Sequence, residues 1–255
     1  MSEHKRKQLA RQAQTEAGVL DDGTYQLIAS WALLPRSLRL WRQNFTTCLF
    51  FFILPGLVSL LGQIVIGNLS KPDLTNPRTF IGIGIMLLGL LWQYINVPAG
   101  IFYMPLRATL GERPGIWQSY KSAIGFLPRL TGLFILLILI IVLGFVCFIV
   151  PGIKAARRYV LSPFYLIENH FGIREAMDMS AADSKPAAGA IRGTIGVYST
   201  IAFASLAVGL VFRPYGSVVS VILGSLFNFG FALRYRSIID AKQQAALLRN
   251  RRGKI

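Results

Sequence analysis

Residues 130–168 read LTGLFILLILIIVLGFVCFIVPGIKAARRYVLSPFYLIE, and this stretch decides the class of fold. No charged side chain occurs from Leu130 to Val150, and a run of roughly 20 apolar residues is enough to cross a bilayer as a helix. Pro151 removes an amide donor and disfavours helix at Val150, while Gly152 can take the positive φ of a C-terminal cap. Together they predict a hinge. Lys154, Arg157 and Arg158 follow at once, and a second apolar run, Tyr159 to Ile167, returns with its own Pro163. The pattern predicts a membrane hairpin with a sharp basic turn. A helix over 153–168 would be only about 24 Å long against a hydrocarbon core of about 30 Å, so the return is expected to be short, tilted or partly re-entrant.

Composition points the same way. Of 255 residues, 53% are hydrophobic and 15% charged, where a soluble domain carries about 25% charge. The net charge is +16, from 27 Lys and Arg against 11 Asp and Glu. In a nucleic-acid-binding protein such an excess lines one face of a water-soluble fold. Here the basic residues sit between apolar segments, so anionic lipid headgroups on the cytoplasmic face are the expected partners, and nucleic acid is not. Cys48 and Cys147 both fall inside apolar segments and have neither a disulfide framework nor metal-ligand spacing.

Outward from the hairpin, residues 1–23 read as a polar cytoplasmic tail, 24–239 as a membrane domain and 240–255 as a basic cytoplasmic tail. Within 24–44, Trp31, Leu34, Leu38 and Trp41 recur at helical spacing, with Arg36, Arg39 and Arg42 on the other side. Arginines with Trp at their margins are what a helix anchored in the headgroup region presents. The first span is expected at 45–67 with a kink at Pro55-Gly56, the second at 80–105 with a hinge at Pro98 and Gly100. An amphipathic stretch at 115–129 leads into the hairpin, which supplies spans three and four. Another amphipathic stretch, 172–184, precedes spans five and six at 191–212 and 215–236.

The expected fold is therefore all-α and polytopic, with six transmembrane helices and three interfacial amphipathic helices. One amphipathic helix and two spans in each third suggest a three-unit pseudo-repeat. Most of the 27 basic residues then fall on one side, with both termini. The positive-inside rule makes that side the cytoplasm and the location the cell (inner) membrane. Lys154, Arg157 and Arg158 are the exception, counted to the outer face.

The segment Ile149-Val150-Pro151-Gly152-Ile153, with Arg157, Pro163 and Glu168, runs on to Gly172-Ile173-Arg174-Glu175-Ala176-Met177 and Ser180. It resembles the pattern PG-I-x-x-x-x-R … P … E … G-x-x-x-A-h-x-x-S, where h is hydrophobic, of a broad group of six-span bacterial and archaeal membrane proteins. That group includes the membrane domain attached to some glycerophosphodiester phosphodiesterases. The resemblance covers about 145–195 in detail and the six-span layout more loosely. It implies a membrane fold, and no enzymatic activity carries over from it, because the phosphodiesterase domain has no counterpart in this sequence.

Chemistry is sparse. The spans contain essentially no Asp or Glu, so no proton relay is expected. The only histidines are His4 and His170, without an HExxH pattern, and no phosphate-binding glycine motif occurs in a strand–helix context. No catalytic residue, metal ligand or cofactor is expected. Asn96 is read as an interhelical hydrogen-bonding group. Glu168, Glu175, Asp178 and Asp183 are read as a solvated ion-pair network, with Glu168 the exception, at the inner interface within reach of basic residues of the amphipathic helices. Lys154, Arg157 and Arg158 are the candidate contacts to a lipid phosphate or to free helix-end carbonyls. The expected function is that of a non-enzymatic envelope protein, lipid-associated or a scaffold for another membrane protein. The alternative is a small transporter whose broken second and fourth spans line a path.

Overall fold

A computed structural model describes residues 27–67, 75–211 and 216–252, and every regular element in them is helical. The tail expected at 1–23 lies outside the described residues. Three helices are long and apolar enough to cross a membrane among the described residues: Phe45–Ile66, Pro77–Thr109 and Ile116–Val146. Their outer faces are carbon. Leu61 and Ile64, then Phe80, Leu88 and Leu91, then Ile138, Leu143 and Val146 are all exposed. So much continuous apolar surface is suited to lipid and not to water.

Helix α1 is Leu33–Gln43, and it divides its circumference in three. Leu33, Ser37 and the following Asn44 are buried against the protein. Trp31, Leu34, Leu38 and Phe45 make an exposed apolar strip, and Arg36, Arg39 and Arg42 make an exposed basic one. Sequence periodicity marks the last two strips and misses the first, because Ser37 and Asn44 are polar. Their groups are satisfied locally: Ser37 bonds the Leu33 carbonyl and the Tyr198 hydroxyl, and Asn44 Nδ2 donates to the Leu40 carbonyl.

Helices α2 (Phe45–Ile66) and α3 (Pro77–Thr109) are continuous through their prolines. The expected kinks take the form of wide π turns, at Leu49–Ile53 and Val97–Tyr103. The physical reason is that a proline ring displaces the carbonyl four residues earlier. For Pro55 that carbonyl belongs to Phe51. Asn96 Nδ2 of α3 donates to it at 3.2 Å, and the Tyr120 hydroxyl donates to Asn96 Oδ1. Asn96 thus repairs a hydrogen bond that Pro55 removes. Pro98 and Gly100 both lie in the π turn of α3 and are buried, so this break sits inside the helix packing.

Next come α4 (Ile116–Ala123), a 3-10 turn, α5 (Leu127–Cys147), α6 (Ile149–Tyr159), α7 (Ser162–Glu168) and α8 (Ile173–Ser184). Long helices α9 (Ala188–Val211) and α10 (Gly216–Arg252) close the fold. Residues 240–252 continue α10 as helix. The fully buried Arg234 of α10 ties the fold's beginning to its end. Its Nε donates to Thr194 at 2.8 Å, and Nη2 donates to the Ile28 carbonyl at 2.8 Å and to Ser30 Oγ at 3.1 Å.

Helix α8 departs from expectation. Ala176, Met177 and Ser180 of its less polar side are buried as an amphipathic helix requires, but Ala181, Asp183 and Ser184 are buried with them. The Asp183 carboxylate accepts from Lys242 Nζ at 2.9 and 3.0 Å and from the Tyr165 hydroxyl. Asp183 is therefore a buried, paired anion and not part of a solvated network. Glu168 pairs with Arg236 of α10, and not with one of the amphipathic helices.

Candidate anionic-ligand site

The central hairpin breaks three residues earlier than Pro151 predicts. Helix α5 ends at Cys147, Phe148 is extended (φ −169°, ψ 152°), and α6 begins at Ile149. Pro151 lies in the first turn of α6, where a missing amide hydrogen leaves no gap in the ladder. Gly152 is helical too. Its role is close approach: a Cβ added at Gly144 of α5 would come within 2.8 Å of the Gly152 Cα. The hinge assigned to Pro151 and Gly152 is thus the extended Phe148, and Gly152 serves the packing of α6 on α5.

The tip of this hairpin is apolar. Phe145, Val146, Phe148, Val150 and Ile153 are exposed. The basic residues lie behind the tip, on the side facing α8. Lys154, Arg157 and Arg158 line a cavity of about 450 Å³ together with Lys185, Ser184 and Tyr159. Ile140, Pro151, Ala155 and Ala181 complete its wall, and none of the lining residues is acidic. Four cations around one cavity without a carboxylate repel one another, and an anion between them would relieve that.

Local structure positions each of these side chains. The Arg158 carbonyl, free at the end of α6, accepts from Ser180 Oγ at 2.8 Å and Ser184 Oγ at 3.2 Å. Those two bonds fasten α6 to α8 and bring Lys185 beside the hairpin cations. The Arg158 guanidinium lies 5.4 Å from the centroid of the Tyr159 ring, within the range of a cation–π contact. Arg157 is half-buried, and its Nε is fully buried without a hydrogen-bond partner among the described residues. An unmatched buried guanidinium donor costs free energy, and a phosphate or carboxylate oxygen is the acceptor its planar fork suits.

The residues singled out in the sequence therefore separate. Lys154, Arg157, Arg158 and Pro151 come together at this cavity. Pro98 and Gly100 belong to the α3 π turn, and Trp31, Arg36, Arg39, Trp41 and Arg42 belong to α1, where Trp41 Nε1 donates to Ser225 Oγ at 2.8 Å. Lys185 is the residue sequence reasoning missed. It stands 27 positions beyond Arg158, and no local pattern links the two. Among the described residues no group of three or more His, Cys, Asp or Glu is placed to hold a metal ion. Comparison with family models, with curated proteins and with solved structures finds no match to this chain.

Proposed function

We propose that this chain is a non-enzymatic integral protein of the inner membrane that binds the anionic headgroup of a lipid in the cavity between α6 and α8. The single observation that carries the reading is the cavity itself: four cations, no acid, and the unpartnered Arg157 Nε. The exposed Arg36, Arg39 and Arg42 of α1 act as a further cytoplasmic anchor to anionic lipid, each worth about 1 kcal/mol near the surface.

The contacts of the segment before α1 support a reading of sidedness. Ile28 and Ser30, just before α1, bond Ala190, Thr194 and Arg234, so the approach to α1, the start of α9 and the middle of α10 lie together. Lys185 lies within two turns of Ala190 and shares the cavity with Lys154. We therefore place Lys154, Arg157 and Arg158 toward the cytoplasmic face, and drop their assignment to the outer one. Six apolar segments still enter the membrane. Four cross it (α2, α3, α9 and the first part of α10), and α5 with α6 forms a re-entrant hairpin led by its apolar tip.

The test is retention of lipid. Protein purified in mild detergent is expected to carry anionic phospholipid, and Arg157→Ala is expected to lose it. Arg157→Lys keeps the charge without the fork and should retain an intermediate amount. Equal phospholipid in all three proteins would defeat the reading.

One observation favours the alternative of a small transporter. The π turns of α2 and α3 lie beside each other, joined by Asn96 and Phe51, and broken helices in membranes often flank a path. Uptake of a labelled lipid into proteoliposomes that depends on Asn96 would support it.

A further inference from the structure

The basic cavity has an apolar neighbour. A second cavity of about 480 Å³ is lined by Ala156, Tyr159 and Val160 of α6, with Phe134, Ile138 and Ile195 among its other walls. Of all the residues around it only Tyr159 and Asn228 carry a polar side-chain atom. The two cavities adjoin. Tyr159 lines both, and consecutive residues divide between them: Ile140 and Ala155 face the basic cavity, Ile141 and Ala156 the apolar one. A charged recess and a greasy recess of similar size, sharing one tyrosine, match the two ends of an amphiphile.

We propose that the two cavities form one bipartite site for an anionic phospholipid, its phosphate held by Lys154, Arg157, Arg158 and Lys185 and one acyl chain laid in the apolar recess past Tyr159. This rests on the headgroup reading above and adds the chain to it. The apolar recess is open at Ile138, which is 59% exposed, so a chain enters sideways from the surrounding bilayer. Headgroup charge and chain burial together select a membrane lipid over free phosphate, because water-soluble phosphate gains nothing from the second cavity.

The experiment uses the full chain in detergent with three probes: long-chain phosphatidylglycerol, its dihexanoyl analogue and inorganic phosphate. Binding is read by native mass spectrometry and by competition for the long-chain lipid. Three variants are compared, Arg157→Ala in the basic cavity and Ala156→Leu and Ile138→Trp in the apolar one. Thermal unfolding midpoints check that each variant folds. Should Ala156→Leu fail to fold, Ile138→Trp at its exposed position carries the test. Filling the apolar recess is expected to weaken long-chain binding about tenfold or more, by excluding a few methylenes, and to leave the dihexanoyl analogue unchanged. Arg157→Ala is expected to weaken both. If filling the recess changes neither lipid while Arg157→Ala weakens both, the headgroup site stands and the bipartite site is overturned. If inorganic phosphate competes as well as the long-chain lipid, the ligand is a free anion and the bipartite site is again overturned. If no binding depends on Arg157, both readings fall.

Discussion

Ser180 Oγ donates a 2.8 Å hydrogen bond to the backbone carbonyl of Arg158, and through it α8 holds the end of α6 in place. Carbonyls in the last turn of a helix have no partner within the helix, so this bond meets a need that the short α6 creates. Ser180→Ala is expected to lower stability by about 1 kcal/mol, partly cushioned by Ser184, which bonds the same carbonyl. Ser180→Ala with Ser184→Ala should cost more than either alone and should also weaken anionic lipid retention, since Lys185 is then no longer held against Arg158. Unfolding midpoints and lipid content, measured on the three variants, check both parts. Lipid retention unchanged in the double variant would separate the cavity from this clamp.

How much of this was legible in the chain depends on the range of the interaction. The long apolar helices follow from unbroken runs such as Leu130 to Val150, and the kinks follow from Pro55 and Pro98, because hydropathy and proline chemistry act locally. The hairpin break at Phe148 was not legible: an extended Phe carries no local signal, and the nearby Pro151-Gly152 carries a strong one. Burial of α8 was hidden by its polarity. Asp183 and Ser184 look like a solvent face until Arg158, Tyr165 and Lys242 arrive as partners from distant segments. Three of the four cavity cations were visible as one cluster, and the fourth, Lys185, joins only through tertiary packing.

The pair of Asp183 and Lys242 gives an asymmetric prediction. Asp183 is the buried partner, its side chain 8% exposed against 43% for Lys242. Lys242→Met strands a buried carboxylate on the Tyr165 hydroxyl alone, and is expected to cost about 3 kcal/mol. Asp183→Asn keeps a hydrogen-bonding group and frees a lysine that can reach water, so about 1 kcal/mol is expected. The double variant should be more stable than Lys242→Met alone. Denaturant titration of the four proteins closes the cycle, and additive losses would show that the two groups are not coupled.

Arg234 secures the segment before α1. Its guanidinium reaches Thr194, the Ile28 carbonyl and Ser30 from a position with no exposed surface. Arg234→Met has a similar length without the donors, so it leaves the Ile28 carbonyl unpaired. The expected loss is about 2–4 kcal/mol, and residues 27–32 should become the earliest cut in limited proteolysis. An unchanged cleavage pattern would show that other contacts hold the segment.

The strips of α1 predict its depth. Trp31 is 73% exposed and shares an edge with Leu34 and Leu38, while Arg36, Arg39 and Arg42 form the adjoining exposed basic strip. In protein reconstituted with Trp31 as its sole tryptophan, lipids brominated near the headgroup should quench fluorescence more than lipids brominated near the chain end. Replacing the three arginines by Gln should reduce the difference between anionic and neutral bilayers. Strongest quenching from the chain ends would place α1 inside the hydrocarbon and not at its edge.

The sidedness of the basic cavity is the sharpest test of the membrane arrangement. In a background with Cys48 and Cys147 replaced, single cysteines at Leu247 and Glu112, both exposed, are expected to be shielded from an impermeant thiol reagent in intact cells. A cysteine at Thr75, in the connection between α2 and α3, is expected to label. Lys154→Cys decides between two arrangements of the hairpin. If α5 and α6 are re-entrant, the arrangement proposed from the cavity shared by Lys154 and Lys185, Lys154→Cys is shielded in intact cells and labels only after the membrane is opened. If α5 carries the chain across and α6 starts its return from the far side, Lys154→Cys labels together with Thr75→Cys. That second result would remove Lys154 from the cytoplasmic face and restore a hairpin that crosses the bilayer fully.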